Sequence, residues 1–459
     1  MDPYYALKKK AKENGISLDE QLKASQQAPA KKTSPANNYS GRGNTPAGSR
    51  GSGNNRQGSN ASNTSKAPKK PKTPQGTPTA PYNFVKLNDV VVSAPFSDKL
   101  NAGEEQQAYK EFLTGEEAKY SGYFEIEVEN IRPLFINNGN DEFFSDGVNY
   151  LIPGSSLRGA IKNYFKIITN GTMRTGDDGD VTDSDIEGYS KTVANHIPST
   201  LNSDKVDFAA AVFGNKEMWS SRVFFENLYL QGKGNFENKD TASPLMGPNL
   251  ASYQSYLEPK NGKAEHWNSS SNIRGYKMYW HRNCDWRSPA NVKNTNENVT
   301  KKVAPLKCGC SFTGRIRFGN LSAEELGALT KVLSLGDDGE LAYKLGMGKP
   351  IGMGSVKLKS TLYLQGDNYY TKLFGDNDFD AGLQKQDKKQ YIDSFEGYMK
   401  KTLKADSFRE YSARMKDLTS IMKEYRNQRD WTKMTDYMKG KRKNKSTPLP
   451  SISEVVKQK

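Results

Sequence analysis

Between Tyr123 and Arg132 apolar and acidic positions alternate without a break: Phe124, Ile126 and Val128 on one side, Glu125, Glu127 and Glu129 on the other. A period of two predicts a half-buried strand with one face on a core. Phe312–Leu321 alternates in the same way. Ser322 then caps a helix over Glu324–Leu333, whose first turn is acidic as the helix dipole prefers. Leu157, Ile161 and Phe165 recur every four residues and predict another helix. It is entered from an apolar run that stops at Pro153-Gly154, and Ser155 or Ser156 offers the capping hydroxyl. Asp207–Gly214 reads as a helical turn and Ser221–Glu226 as a strand, while Val356 and Leu358 open a strand that closes near Leu364. The order strand, long loop, helix, strand, insertion, strand, helix, glycine loop, strand fits an α+β, ferredoxin-like (RRM-like) core.

Outside that core, at 82–368, the patterning changes. Residues 1–27 predict a short helix with a thin apolar stripe, suited to docking or to fraying. Residues 28–81 are low-complexity, with nine Lys or Arg and no Asp or Glu, which predicts a disordered basic linker. Its Gly41-Arg42-Gly43 and Arg50-Gly51 suit RNA contact; a solubilising linker has the same composition. The Asp-rich stretch 169–205 lacks calcium-loop spacing and reads as a solvated insertion, and 233–272 is a second insertion. Residues 369–459 read as charged helices, Tyr391–Lys404 and Phe408–Arg442. The basic run Lys439–Lys445 suits RNA, a neighbouring subunit or a solvated helix end.

The chain has 459 residues, a formal charge of +15 and a pI near 9.3. That excess points to a polyanion, nucleic acid before membrane. There is no apolar run of about 18 residues to span a bilayer and no apolar stretch behind the N-terminal lysines to make a signal peptide. Three cysteines make no disulfide framework, so a reducing, cytoplasmic location is expected.

Two glycine turns carry the chemistry. In Tyr150–Phe165, strand, glycine turn and helix N-terminus place backbone N–H groups beside Arg158 and Lys162, an anion-binding arrangement. About 190 residues on, Gly346, Gly348, Gly352 and Gly354 are interleaved with Lys344 and Lys349, so that a backbone can approach closely beside positive charge. Together, IPGSSLRG at 152–159 and the late glycine loop closely resemble the signature of the RAMP superfamily, RNA-binding subunits of type III CRISPR effector complexes. The resemblance covers 121–168 and 207–364. It implies a RAMP core bound to crRNA and target RNA among other effector subunits, with Ser155, Ser156, Arg158, Lys162 and the 344–354 loop at the RNA.

Ile273-Arg-Gly-Tyr-Lys-Met-Tyr-Trp-His281 interleaves aromatics with Arg274 and Lys277, suiting base stacking beside phosphate; a buried aromatic strand with both cations at its edge fits equally. The pattern also resembles a RAMP subgroup with a long insertion at this point. His281, Cys284, Cys308 and Cys310 form two close pairs that can satisfy a structural zinc, although Cys310 also reads as ordinary core. No histidine sits in a catalytic motif. Some RAMP subunits cleave target RNA through an aspartate in the loop before the first helix, with a metal. The resemblance places Asp141 nearest that position, where it could hold Mg²⁺ or be a solvated loop acid. Glu226–Gly232 resembles a potyviral protease site and reads as coincidence. Three readings stand: a crRNA-binding scaffold, a metal-dependent endoribonuclease acting through Asp141, and a generic RRM-like RNA-binding protein.

Overall fold

The computed structural model describes residues 80–95, 120–172, 206–214, 220–245, 256–263, 271–283, 285–288, 301–376, 380–424 and 448–456, together with Gln107, Lys110 and Thr114. The chain divides into units 1–70 and 71–459, and the first lies wholly outside the described residues. So do residues 28–79 of the basic linker, most of the Asp-rich insertion, Cys284 and the run 439–445; Ala80 and Pro81, at the linker's end, are buried.

In chain order the elements are β1 (Tyr82–Lys86), β2 (Tyr120–Asn130), β3 (Leu151–Ile152), α1 (Gly154–Ile168), α2 (Phe208–Phe213), β4 (Val223–Phe225), β5 (Leu228–Leu230) and β6 (Asp240–Thr241). There follow β7 (Gly275–Tyr279), β8 (Lys302–Val303), β9 (Ser311–Leu321), α3 (Ala323–Ser334), β10 (Tyr343–Lys344), β11 (Ser355–Gln365), α4 (Tyr369–Asp376), β12 (Leu383–Gln386), α5 (Lys389–Thr402), α6 (Ala405–Met422) and α7 (Ile452–Val456). The main sheet is antiparallel with the order β10-β11-β2-β9-β5-β3; β12 pairs with β11 and β4 with β9. The protease-like heptapeptide is sheet, since Leu228–Leu230 is β5.

The alternating strands behave as their period requires. Val128 lies opposite Leu358 and Phe312, and Phe124 opposite Leu362 and Ile316. All six side chains are buried, as are Leu157, Ile161 and Phe165 of α1 and Leu326, Leu329 and Leu333 of α3. Glu125, Glu127 and Glu129 face solvent. A mixed α/β core with one covered and one open sheet face results.

Ser322 caps α3 in a complete capping box with Glu325. The same Glu325 carboxylate is buried against Arg222, with Oε2 2.9 Å from Nη1. Arg222 also donates to the Ala211 carbonyl, so one ion pair ties α2, the sheet and α3 together. At α1 the expected cap is different. Neither Ser155 nor Ser156 caps the helix, which starts at Gly154 with Pro153 at the cap position. The Gly154 N–H donates instead to Asn227 Oδ1 at 3.0 Å, because β4 and β5 bring the heptapeptide beneath the turn. A Cβ at Gly154 would lie 2.1 Å from the Phe225 carbonyl oxygen, so the glycine is required by the sheet. Further on, Arg414 of α6 is buried and donates to Asn170, holding the C-terminal helices on the core.

Candidate nucleic-acid interface

The glycine-rich segment after β10 folds as a turn over its own chain. Gly346, Gly348, Gly352 and Gly354 all have positive φ, where an L-residue is strained. A Cβ on Gly354 would also lie 2.0 Å from the Leu345 carbonyl oxygen. These glycines are therefore demanded first by the loop itself. The loop is anchored by Met347 N–H to the Phe135 carbonyl at 2.9 Å and Gly354 N–H to the Pro133 carbonyl at 2.8 Å. Arg282, buried, donates to the Pro350 carbonyl.

That anchoring turns the loop toward α1. Between them lies a groove of about 580 Å³ whose third wall is β7. From α1 come Ser155, Ser156, Gly159, Ala160 and Asn163; from the end of β10 Lys344; from the loop Gly346, Met347 and Lys349; from β7 Lys277 and Tyr279. Asn137, in the loop before β3, also lines it. Among the described residues, three lysines line the groove and no carboxylate does. Gly159 is the groove's open glycine: a Cβ there meets nothing within 4 Å. The small side chains on this face of α1 leave room for a chain to lie against the helix.

The three lysines differ. The ammonium of Lys344 donates to the Met353 carbonyl at 3.1 Å and its N–H to the Tyr164 hydroxyl at 3.3 Å, so this residue also supports the loop. Burial holds Lys349 below the ordinary lysine pKa. Lys277 is brought down to about 8, again by burial. Taking a charge out of water without a counter-ion has this effect, and an anion arriving in the groove would reverse it.

Several residues expected at the anion lie elsewhere. Arg158 turns away from the groove: Nη2 donates to the Phe213 carbonyl at 2.8 Å, and the guanidinium lies 5.5 Å from the Phe213 ring centroid. It closes the C-terminal end of α2. Lys162 is half-buried outside the groove lining. Arg274 is half-buried near Glu258 and Glu454, and desolvation lowers its pKa. Gly352 and Gly354 shape the loop without lining the groove. The helix N-terminus is also less open than its sequence implies, since the Gly154 and Ser156 N–H groups are taken by Asn227 and the Pro153 carbonyl.

His281 is buried with Nδ1 2.9 Å from Ser355 Oγ, and burial together with Lys344 holds its pKa well below the ordinary value. Cys308 is exposed; Cys310 is half-buried against the core, with its N–H donating to Asn130 Oδ1 at 2.9 Å. Among the described residues no group of three His, Cys, Asp or Glu could hold a metal ion, so the residues on view assemble no zinc site. Asp141 has a φ of 60°. Its Oδ2 pairs with Lys301 at 3.3 Å, while Oδ1 is buried without a hydrogen-bond partner.

Sequence reasoning missed Asn227, hidden in the protease-like heptapeptide, and Tyr82 and Tyr256, which pack around Lys277. An asparagine two residues after a strand was the only signal for the first; for the tyrosines there was none. Compared with known proteins, the family described as RAMP superfamily matches residues 127–357, half of the chain. No curated protein matches it. Among solved structures it is similar to a chain of a structure titled "Cryo-EM structure of the Type III-B Cmr-beta bound to cognate target RNA", with 12% identity and a TM-score of 0.26 over 58% of this chain. The match spans 66% of that chain's length.

Proposed function

This chain belongs to the RAMP superfamily, and on that premise we propose that it is a crRNA-binding subunit of a type III CRISPR effector complex. Guide phosphates lie in the groove between α1 and the glycine loop, against Lys277 and Lys349. Sequence is read by guide pairing rather than by side chains. The observation that carries this reading is the meeting of both signature turns on one groove lined, among the described residues, by lysines and by no carboxylate. The ferredoxin-like reading of the core is supported by the strand order β11-β2-β9-β5, with a helix following β2 and another following β9.

Lys349→Met is the direct test. It weakens binding of a short oligouridylate and lowers the slope of log affinity against log salt by about 0.7, the value for one phosphate contact on a single strand. An unchanged slope places the RNA elsewhere. RNA recovered with the protein from its host carries repeat-derived sequence at the 5′ end; heterogeneous RNA instead identifies a generic RRM-like binder.

One observation favours a second reading, the cutting of paired target RNA through Asp141. Its buried Oδ1 has no protein partner and could meet a Mg²⁺ that the RNA phosphates also hold. Under this reading Asp141 would help hold the metal, whose chemistry would be to activate the 2′-hydroxyl for attack on the adjacent phosphorus as the 5′-oxygen leaves. Asp141→Ala abolishes target cutting and spares guide binding; unchanged cutting assigns Asp141 to its ion pair with Lys301 alone.

A further inference from the structure

β1 and β7 form a two-stranded sheet in which Tyr82 lies opposite Tyr279 and Phe84 opposite Lys277. One face, with Asn83, Val85, Tyr276 and Met278, is buried. On the other the Lys277 ammonium lies 4.1 Å from the ring centroid of Tyr82, 5.3 Å from that of Tyr256 and 5.5 Å from that of Tyr279. It donates to the Tyr256 hydroxyl at 3.3 Å. The rings brace one another, Tyr82 being 6.1 Å from Tyr256 and 6.2 Å from Tyr279. Ring faces attract an ammonium but do not neutralise it. The result is a caged cation on the wall of a groove that, among the described residues, offers it no carboxylate.

We propose that Tyr82, Tyr256 and Tyr279 are positioning residues of the groove: by caging Lys277 they make it a fixed phosphate ligand that takes up a proton as the polynucleotide enters. This rests on the groove being the RNA site. A flexible lysine loses rotamer freedom on binding; here folding has already restricted it. Burial lowers the Lys277 pKa from 10.5 to about 8, and a phosphate oxygen beside the ammonium raises it again. The bound value therefore exceeds the free one. Affinity is full below the free pKa and falls as pH rises through it toward the bound pKa.

Lys349 and Lys344 face the groove from the glycine loop, and the three tyrosines surround Lys277. Lys349 is also lowered by burial and titrates in the same direction, so the test is made on Lys349→Arg protein. Its affinity for oligouridylate falls about tenfold from pH 7 to pH 9 at constant salt. Adding Lys277→Arg removes that fall, because a guanidinium stays charged. Adding Tyr82→Leu rehydrates the ammonium and moves the fall above pH 9. Calorimetry of the Lys349→Arg protein at pH 8, in buffers of different ionisation enthalpy, registers about half a proton taken up per site. An equal fall with and without Lys277→Arg, or no proton uptake, overturns the cage. If Lys349→Met also leaves affinity and salt slope untouched, the groove reading falls with it; if Lys349→Met weakens binding, only the role of the tyrosines fails.

Discussion

On the open face of the main sheet, Arg315 reaches Asp380 at 2.8 Å and Arg317 reaches Glu226 at 2.6 Å. Lys359 lies opposite Glu127 and Lys357 opposite Glu129. Tyr123 and Tyr363 stack on each other at 4.9 Å, with Arg315 4.3 Å above Tyr123. RRM sheets bind RNA through exposed aromatics on such a face. Here the aromatics are occupied and each row of cations is answered by carboxylates. In the groove, Lys277, Lys344 and Lys349 line a space with no carboxylate among the described residues. The two regions have similar cations, but on the sheet face they are matched by carboxylates. Among the described residues, the pairing of cations with carboxylates, rather than the number of basic residues, distinguishes the sheet face from the groove.

The strongest way to break this comparison is through the loop that shapes the groove. Gly354→Ala forces a side chain into positive φ and against the Leu345 carbonyl, costing about 3 kcal/mol in denaturant unfolding; a neutral result would mean that the loop is not held as described. A smaller effect is expected where the groove is open. Gly159→Leu stabilises α1 by about 0.8 kcal/mol, yet lowers oligouridylate affinity about tenfold, or 1.4 kcal/mol. Tighter binding by this more stable protein would place the RNA off α1. Smallest of all is the sheet face. Glu127→Lys disrupts a cross-strand pair worth about 0.5 kcal/mol and leaves RNA affinity within about twofold, since the groove field is unchanged. A clear gain in affinity would show that the RNA runs over the sheet.

Much of the fold was legible because it is locally encoded. Alternation at 123–132 and 312–321 states which side chains face a core, and Ser322 with Glu325 carries its helix start within four residues. The boundaries of the charged C-terminal helices were read less well: the second ends at Met422 among the described residues, and the run beyond it lies outside them. At the site, Ser155, Ser156, Gly346, Lys277, Lys344 and Lys349 meet on one groove. Arg158 and Arg274 were candidates by charge and lie elsewhere, because a guanidinium goes where a carbonyl or a carboxylate awaits it. The Phe213 carbonyl and Glu454 come from distant segments.

By itself the sequence determined the central strands, the helix that follows each of them, the glycine turns and the basic character of the groove segments, since each depends on neighbours within a few residues; the strand at Leu383–Gln386, inside a stretch read as helical, is set by its pairing with β11. Only the tertiary structure decided that the two turns share a groove, that Asn227 rather than a serine completes the first helix, and that three tyrosines enclose Lys277. The physical reason is the same in each case. A backbone conformation is set by adjacent side chains, whereas the partner of a charge or a free N–H group is set by whichever distant atoms folding carries within about 3 Å of it.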